Sequence, residues 1–354
     1  MKLLRTTFLV LLAATAICSQ SRGSLATKTP LGGPTDVIVA ANGDVYVVES
    51  DNCIVRKIDA KTRRITTVAG NGKNDYTGDG GRATSAALDY ATSIALDAVG
   101  NLYIAEIAGR IRKVDVATQT ITTIAGNGKM GDGGTGDGGL ALEASFRRPD
   151  NIAFDGDGDL YIADDMDHRI RKIDMTTQRV STFAGDNWKS MAAETAAGEV
   201  LGDGRLAKNA ALYFPSSIAF DVTGNMYIAD FQNHRIRRVE RSTGIISTVA
   251  GNGIPKSTGD NGLAVQASIK YPQHVVVDKT GNVFFADSAG IHRIDAVNGR
   301  IKRISRHVGD LALDGTTLYV GGFGQNHIFK IDLLTKRLTV FAGNGLPERH
   351  DIIL

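Results

Sequence analysis

One segment of this 354-residue chain, residues 151–185, recurs in five further copies. The copy that is most like it spans 217–251, and both contain Tyr-Ile-Ala-Asp followed by His-Arg-Ile-Arg. The remaining copies span 36–70, 93–126, 274–305 and 310–343. Internal repetition indicates a repeat architecture, in which one small unit cannot bury its apolar faces alone and must stack on its neighbours. This repetition constrains the fold more than any composition value does.

Each copy has the pattern of four short β-strands. In the fourth copy the strand-like runs are Ser217–Phe220, Asn225–Ala229, Arg235–Val239 and Ile245–Ala250. Turn-forming sequences rich in Asp and Gly, such as residues 221–224, join these runs. Four strands joined by tight turns form one antiparallel meander with two uncovered faces. We therefore predict an all-β fold, a six-bladed β-propeller of four-stranded antiparallel blades.

Insertions with a shared motif separate most of the copies. The motif is Gly-Asp-Gly-Gly or a close variant followed by Ala, and it occupies residues 78–83, 136–141, 202–207 and 259–264. We predict that each insertion is a turn followed by a short helix, with the Asp near the helix N-terminus. No insertion precedes the sixth copy. The pattern leaves open how the ring closes, because the last copy holds four strands of its own.

The repeated motif resembles a known family. Residues 224–238 contain Asn-Met-Tyr-Ile-Ala-Asp and Asn-His-Arg-Ile-Arg, which resemble the NHL repeat, and the insertions resemble those of its long variety. The resemblance covers about residues 34–345 and implies a six-bladed propeller. It implies no single activity, because NHL-like propellers include protein-binding, RNA-binding and catalytic members. The fifth and sixth copies depart from the motif at 288–291 and 321–322.

The N-terminal residues have the pattern of a secretory signal. Lys2 and Arg5 precede an apolar run over residues 8–18, and small polar residues follow it. The run is shorter than the roughly 20 apolar residues that span a bilayer. We therefore predict a signal peptide at residues 1–23 and the propeller at residues 24–354. The expected location is secreted or extracellular, or periplasmic in a bacterium.

Charge and cysteine content narrow the classes of partner. The chain has 40 basic and 38 acidic residues and only 6% aromatic residues, so neither bulk charge nor base stacking favours a nucleic acid partner. No segment after the N-terminal run is long and apolar enough for a membrane span. Removal of the signal peptide would leave Cys53 as the single thiol, without an internal disulfide. We expect a monomer.

A ring of polar side chains is expected where the first strands of all copies meet at the channel. Counted back from the turn glycine, the equivalent entry positions are Asp36, Ser93, Asn151, Ser217, His274 and Asp310. Propellers bind ligands at one end of the channel, so these six are the candidate ligand-binding residues. The alternative interpretation is that they cap strand ends at a hydrated channel mouth.

Three of these residues are also candidate catalytic or metal-binding residues. His274, Asp310 and Asp36 occupy successive places in the ring, because the last blade adjoins the first. Two carboxylates and an imidazole suit either a divalent metal or acid–base catalysis. Asn151 would add a carbonyl oxygen, which favours Ca²⁺ over Zn²⁺. The single histidine differs from the three-histidine zinc site of the amidating lyases that the resemblance brings into consideration.

Several recurring motifs are interpreted as structural. The run 155–159 is expected to be a turn, because Leu160 stands where an EF-hand loop needs glycine. The acidic residues that end the second strand are expected to bond backbone amides or the following arginine, as in Arg169 and Arg235. These acidic residues are Glu49, Glu106, Asp164, Asp230 and Asp287.

Two further features of the repeats carry basic or titratable side chains. His168 and His234 belong to the repeat pattern and are expected to be structural. The basic runs 110–113, 169–172 and 235–238 are a candidate anion-binding face. Nucleophilic catalysis is not indicated, because the chain contains no Gly-x-Ser-x-Gly elbow.

Two functional hypotheses follow. The first is an extracellular binding module that recognises a protein or a glycan across the channel face and the inserted loops, since loops on a rigid scaffold commonly carry recognition. The second is a lyase or hydrolase that uses a metal or an acid–base pair in the polar ring, as the six-bladed lactonase and lyase relatives implied by the resemblance do.

Overall fold

The computed structural model describes residues 23–129, 135–186, 201–322 and 326–345. The expected signal peptide lies outside the described residues except for Gly23. Six antiparallel meanders are present in the described ranges. The first strand of each contacts the first strands of both neighbours, including blade 6 against blade 1, so the sheets form a closed ring. The prediction of a six-bladed propeller is confirmed.

We number the strands of a blade 1 to 4 from the channel outward. The strands of blades 1, 2 and 3 are Pro34–Val39, Val45–Glu49, Ile54–Ile58 and Arg64–Ala69; Ala91–Leu96, Leu102–Glu106, Arg110–Val114 and Ile121–Ala125; Pro149–Phe154, Leu160–Asp164, Arg169–Asp174 and Arg179–Ala184. The strands of blades 4, 5 and 6 are Pro215–Phe220, Met226–Asp230, Arg235–Val239 and Ile246–Ala250; His274–Val277, Val283–Asp287, Gly290–Ile294 and Ile301–Ser305; Asp310–Asp314, Thr317–Gly322, His327–Asp332 and Leu338–Ala342. The strands expected in blade 4 are each within two residues of those observed.

The hydrophobic core lies between blades. One cluster joins Ala105 and Ile111 of blade 2 to Ile152 and Ile162 of blade 3, and the other clusters repeat this arrangement around the ring. Strand 2 is covered on both faces, so the whole of Leu160–Asp164 is buried. Removing these apolar surfaces from water is the main favourable contribution to stacking the blades.

Each insertion runs along the outer edge of the blade that follows it. In the insertion before blade 3, Leu140 forms a β-bridge with Arg179 of strand 4. The neighbouring Ala141 carbonyl accepts a hydrogen bond from Gly126 at the end of blade 2, with an N···O distance of 2.8 Å. An insertion therefore fastens two successive blades together. Three of the four expected short helices are single 3₁₀ turns, at Ala83–Ser85, Ala207–Asn209 and Ala264–Gln266, and the fourth, at residues 141–143, is a turn.

The first glycine of the insertion motif is required by close packing. Gly136 has a φ of 103°, and a Cβ built on it would lie 2.8 Å from the Cα of Ala144. Residues other than glycine rarely adopt this φ, and a Cβ at this distance would overlap the backbone of Ala144. The equivalent glycines Gly78, Gly202 and Gly259 share both properties.

The aspartate of the insertion motif lies four residues before the 3₁₀ turn and does not cap it. Asp79 instead binds the buried guanidinium of Arg112 with an N···O distance of 2.7 Å, and accepts a hydrogen bond from Thr123 N–H at 2.9 Å. Asp203 does the same with Arg237 and Thr248 N–H. The aspartate therefore binds the insertion to strands 3 and 4 of the following blade.

The N-terminal segment closes the ring by acting as one more insertion. Ser24–Leu25 pairs with strand 4 of blade 1, and Ala26–Lys28 forms a 3₁₀ turn. The Ala26 carbonyl accepts a hydrogen bond from Gly343 at the end of blade 6, at 3.0 Å, as Ala264 does from Gly251. This segment occupies the place of an insertion between blades 6 and 1, which resolves how the ring closes.

A matched pair of leucines tests this closure. Leu31 is fully buried in the cluster shared by blades 1 and 6, whereas the side chain of Leu25 is 41% exposed. We expect Leu31→Ala to lower the free energy of unfolding by about 3 kcal/mol, because it leaves a cavity in an interblade core. Leu25→Ala should change it by less than about 0.5 kcal/mol. Urea denaturation of both variants measures the difference, and equal effects would contradict a closing role for this segment.

Candidate functional site

The six predicted ring residues lie together where the first strands enter the channel. Five of them accept a hydrogen bond from a backbone N–H of the next blade around the ring. The pairs are Asp36 with Ile94 (2.8 Å), Ser93 with Ile152 (3.2 Å), Asn151 with Ile218 (3.0 Å), Ser217 with Val275 (3.2 Å) and His274 with Leu311 (3.3 Å). These side chains therefore cap the strand ends of their neighbours. Whether they also contact a ligand stays a prediction.

The series of hydrogen bonds is interrupted at blade 6. The N–H of Val37 would complete the circle on Asp310, but it donates to Asp36 Oδ1 at 2.8 Å. Asp36 also accepts from Ser93 Oγ at 2.8 Å, so its carboxylate receives three hydrogen bonds from the protein. Asp310 is thus the ring residue that does not join the interblade series.

His274 presents a hydrogen-bond donor to the channel mouth. Its Nδ1 accepts from Leu311 N–H, so in the neutral imidazole Nε2 carries the hydrogen. Nε2 lies 3.9 Å from Asp36 Oδ1 and has no hydrogen-bond partner within the described ranges. The side chain is nine-tenths buried. Burial lowers the pKa of His274 to about 4, so the imidazole is neutral near pH 7.

A cavity of about 500 Å³ opens above the ring. Of the six ring residues, Asp36, Asn151, His274 and Asp310 line it, whereas Ser93 and Ser217 do not. The rest of the wall consists of side chains that counting along the sequence did not single out: Thr35, Ser50, Thr92, Arg148, Asp150, Asp165, Phe214, Ser216, Phe231, Gln232 and Gln273. Below the ring the channel wall is apolar, with Ile94, Ile152, Ile218 and Val275. The polar surface is therefore confined to the mouth.

In blades 1 to 4 a β-bulge brings the residue before the ring position into the cavity. In blade 3 the register of strands 1 and 2 shifts between Pro149 and Asn151, so Asp150 has no partner on strand 2. Alternation alone would send Asp150 and Asn151 to opposite faces, but a bulge redirects the side chain. The sequence signal for this arrangement is two consecutive polar residues at the start of strand 1, as in 35–36, 92–93, 150–151 and 216–217.

Carboxyl groups at the mouth resist ionisation. Burial raises the pKa of Asp36 to about 6, against the opposing effect of its three hydrogen bonds. Burial, and then the charges of Asp36 and Asp150, raise the pKa of Asp310 well above its usual value. A protonated Asp310 is a hydrogen-bond donor as well as an acceptor.

Asp150 lies between an acidic and a basic neighbour. Burial, and then the charge of Asp165, raise the pKa of Asp150 to about 7, while Arg148 opposes this shift. Arg148 forms an ion pair with Asp165, with Nε 2.8 Å from Oδ1. Since the Asp150 side chain is one-third exposed, it faces the cavity and can exchange a proton with solvent near neutral pH.

The metal hypothesis needs a set of ligands that converge. Within residues 23–129, 135–186, 201–322 and 326–345, no group of three or more His, Cys, Asp or Glu side chains is placed to hold a metal ion. The ring residues Asp36, His274 and Asp310 therefore do not fit Ca²⁺ or Zn²⁺ in this geometry, and the two ions stay a prediction from the sequence. Acid–base chemistry at these residues needs no metal.

The repeated carboxylates are structural, as expected. Asp164 is fully buried and accepts hydrogen bonds from the backbone of Arg147 and Arg148 at 2.9 Å. The expected arginine partner was wrong, because the arginine that binds the carboxylate lies two residues later on strand 3. The buried arginine of blade 4 is Arg237, 3.1 Å from Asp230, whereas Arg235 bonds the carbonyl oxygens of Asn233 and Asn252. Alternation along strand 3 explains this, because residues 235 and 237 share a face and the second lies deeper in the blade.

The other motifs also have structural partners. His168 Nδ1 accepts from Phe214 N–H at 3.1 Å, and His234 Nδ1 accepts from Tyr271 N–H at 3.3 Å, so each joins its blade to the next insertion. In the 155–159 run, Asp155 Oδ1 accepts from two backbone N–H groups of its own turn. The basic runs present no continuous anion-binding face, because their central arginines are buried. These are Arg112, Arg171 and Arg237.

The raised carboxyl pKa values predict a pH-dependent stability. A group whose pKa is higher in the folded than in the unfolded chain contributes a stability that is lost as pH rises from the unfolded value towards the folded one, by at most about 1.4 kcal/mol per pH unit. We expect Asp310→Asn to lose less stability than the parent between pH 4.5 and pH 8. Urea denaturation at both values measures this, with exposed Asp75→Asn as the control. Identical pH profiles for all three proteins would contradict the burial of the Asp310 charge.

Comparison with known proteins places the chain among propellers. No protein-family model matches it. The Arabidopsis thaliana protein SUPPRESSOR OF QUENCHING 1, chloroplastic, is 26% identical over 256 residues, which are 69% of this chain and 23% of that protein. NHL repeat-containing protein 2 of Homo sapiens is 23% identical over 303 residues, 79% of this chain and 40% of that protein. The chain thus spans less than half the length of both relatives.

Solved structures with the same fold include enzymes and a binding protein. Virginiamycin B lyase from Staphylococcus aureus has a TM-score of 0.51 at 16% identity, covering 91% of this chain and 87% of that one. A gluconolactonase from Xanthomonas campestris has a TM-score of 0.56 at 11% identity, covering 88% and 87%. A chain of the nidogen/laminin complex has a TM-score of 0.57 at 14% identity, covering 84% and 92%. At these identities the likeness shows the fold alone.

Proposed function

We propose that this chain, a six-bladed propeller homologous to NHL repeat-containing proteins, is a secreted binding module that takes a protein or glycan ligand at its channel mouth. The observation that carries the proposal is the cavity of about 500 Å³ above the polar ring, into which His274 directs an unpartnered and nearly buried Nε2–H. A buried donor without a partner costs about 1–3 kcal/mol, and a ligand acceptor would remove that cost.

The cavity wall suits a ligand with many hydroxyl or amide groups. Asp150 and Gln273 offer carboxyl and amide groups that are not needed to hold the strands of the ring. Phe231 forms part of the wall and stacks on Tyr271, with ring centroids 5.1 Å apart. Flat aromatic faces next to polar groups bind the C–H face of a sugar or an apolar side chain of a peptide. The two candidate ligands, a glycan and a peptide, therefore share one chemistry: each is a chain with polar groups and apolar faces.

The proposal that the protein is secreted rests on residues 1–23. Lys2, Arg5 and the apolar run 8–18 have the pattern of a signal peptide. The closing insertion begins at Ser24, immediately after this segment, so cleavage near residue 23 would leave the ring intact. Expression with the native N-terminus, followed by fractionation and N-terminal sequencing of the exported protein, tests this. Retention of residues 1–23 on a cytosolic protein would contradict it. No helix in the described part of the chain is long and apolar enough to cross a membrane.

A second candidate function is supported by the titratable groups at the mouth. Burial and the neighbouring charges favour the protonated form of Asp310, while Asp36, whose pKa is about 6, is ionised above that pH, so the cavity combines a group that favours the acid form with a carboxylate. Such a pair suits general acid–base catalysis by a lyase or hydrolase. In this arrangement Asp310 would donate a proton to the leaving group, Asp36 would accept one, and His274 would orient the substrate by donating from Nε2.

Variants of the wall test the binding function. We expect ligands detected on an array of immobilised glycans, or on a panel of extracellular peptides, to bind at least about tenfold more weakly to Gln273→Ala and Phe231→Ala, because each removes a wall contact. The control is Val222→Ser, at an exposed turn between strands 1 and 2 at the opposite end of the channel. Affinities are measured by surface plasmon resonance.

The outcome also separates the two functions. Binding that the wall variants leave unchanged would contradict the channel mouth as the site. For the enzyme, turnover of a sugar lactone that is lost in Asp310→Asn, with ligand affinity retained, would favour catalysis over binding alone. Absence of turnover over pH 5–8 would remove the acid–base alternative.

A further inference from the structure

Blade 5 lacks the buried arginine that the three preceding blades use to hold their insertions. In those blades a fully buried guanidinium on strand 3 binds the insertion aspartate. The pairs are Arg112 with Asp79 (2.7 Å), Arg171 with Asp137 (2.6 Å) and Arg237 with Asp203 (2.5 Å). The equivalent residue of blade 5 is His292, which pairs across the strands with Arg303 where blade 4 pairs Arg237 with Thr248.

Blade 2 shows how the missing guanidinium would be bound. Arg112 donates to Asp79 Oδ1 through Nε and one terminal nitrogen, at 3.0 and 2.7 Å. Its terminal nitrogens also donate to the carbonyl oxygens of Thr77, at 2.9 Å, and Ala87, at 2.8 Å. One carboxylate and two carbonyls of the insertion, together with Glu106 of strand 2 at 3.3 Å, therefore surround the planar group and match its fixed set of donors.

Blade 5 retains these acceptors without the arginine. Asp260, Thr258 and Ser268 stand at the same spacing from Gly259 as the three acceptors of blade 2 stand from their glycine. They line a notch of about 80 Å³ together with His292. A water molecule takes about 30 Å³ in the liquid, so the notch has room for a group larger than one water.

The acceptors in the notch have free capacity. Thr258 and Ser268 exchange backbone hydrogen bonds at 3.0 and 3.1 Å, and each carbonyl keeps a second lone pair. Asp260 Oδ1 accepts from Arg303 N–H at 2.6 Å. In blade 2 the corresponding aspartate uses one oxygen for a backbone N–H and the other for the guanidinium. The other oxygen of Asp260 is thus in the place of a guanidinium acceptor.

His292 gives independent evidence that the notch accommodates a further hydrogen-bond donor. Its Nε2 lies 3.0 Å from the buried carboxylate of Asp287, so Nε2 carries the hydrogen and Nδ1 is an acceptor in the neutral ring. Nδ1 is buried and has no hydrogen-bond partner among the described residues. The side chain is nine-tenths buried and lines the notch. A donor from outside the blade would satisfy it.

We propose that this notch binds a guanidinium group, supplied by an arginine side chain of a partner protein. A protein ligand is favoured over a free guanidinium compound because the surrounding insertion exposes apolar side chains, including Ile254 and Val265, each 48% exposed. Arg303 lies at the rim of the notch and is exposed, and its positive charge opposes any cationic ligand, so the carboxylate of Asp260 has to offset that repulsion. The site is separate from the channel mouth and does not depend on the proposed function.

Titration with a small probe tests the site directly. The probe is Nα-acetyl-arginine methylamide, and its binding is followed by NMR chemical-shift changes on the whole propeller. We expect saturable binding with a Kd of about 1 mM. Asp260→Asn should weaken binding about tenfold, because it removes the charged acceptor. The lysine analogue of the probe should bind about tenfold more weakly than the arginine probe, because an ammonium lacks the planar fork. Asp75→Asn, an exposed carboxylate of another insertion, is the charge-matched control and should bind as the parent does.

The variant His292→Arg provides the opposite test. It places a guanidinium in the notch from within the chain, as in blades 2 to 4, and should abolish probe binding while the melting temperature stays the same or rises. Unsaturable shifts in the parent, or undiminished binding in this variant, would overturn the site. If His292→Arg does not fold, equal binding by the parent and Asp260→Asn overturns it instead. A peptide with apolar residues beside its arginine should bind more tightly than the probe, and equal affinity would overturn the partner-protein part of the proposal.

Discussion

The structure depends on hydrogen bonds in which a backbone N–H of one blade donates to a side chain of the preceding blade. The blades form separate sheets, so the interblade core is apolar and the first backbone amides of strand 1 lack a ladder partner at the channel. A buried amide without an acceptor costs about 1–3 kcal/mol. Asp36, Ser93, Asn151, Ser217 and His274 each supply that acceptor. These hydrogen bonds fix the blades at one height and make the channel mouth polar.

This structural task limits what the ring can do for a ligand. An oxygen or nitrogen that already accepts a hydrogen bond has less capacity left, and Asp36 accepts two from the next blade and one from Val37 of its own blade. The groups that remain available are His274 Nε2 and the carboxyl of Asp310, where the series is interrupted. Asp150, displaced into the cavity by a bulge, adds a third. The ligand specificity that we propose for the mouth would therefore arise from side chains next to the series as much as from the series itself.

The repeat pattern predicted the six blades and the position of the ring, because both depend only on counting equivalent residues. It did not predict Asp150 or Gln273. Strict alternation assigns Asp150 to the other face, and only the bulge of blade 3 brings it to the cavity. Gln273 lines the cavity from the residue just before strand 1 of blade 5. Closure by the N-terminus was also missed. Its signal was present, because Gly23-Ser-Leu-Ala repeats the Gly-Arg-Leu-Ala of 204–207, but this short match lies beside the apolar leader. The buried arginine that binds each insertion aspartate could not be predicted, because the sequence does not show which residue of strand 3 lies deepest in the blade.

The positions where one copy departs from the others are therefore the most informative about function. A residue that recurs in equivalent places satisfies the same packing need each time, as Arg112 and Arg237 do. When one copy replaces it, the acceptors built for it remain, and the binding capacity they represent becomes free. In this chain the departures gather in the last two blades, at His292 and at Asp310, and the insertion before blade 6 is absent. Sequence divergence within a closed ring therefore frees side chains for binding without opening the ring.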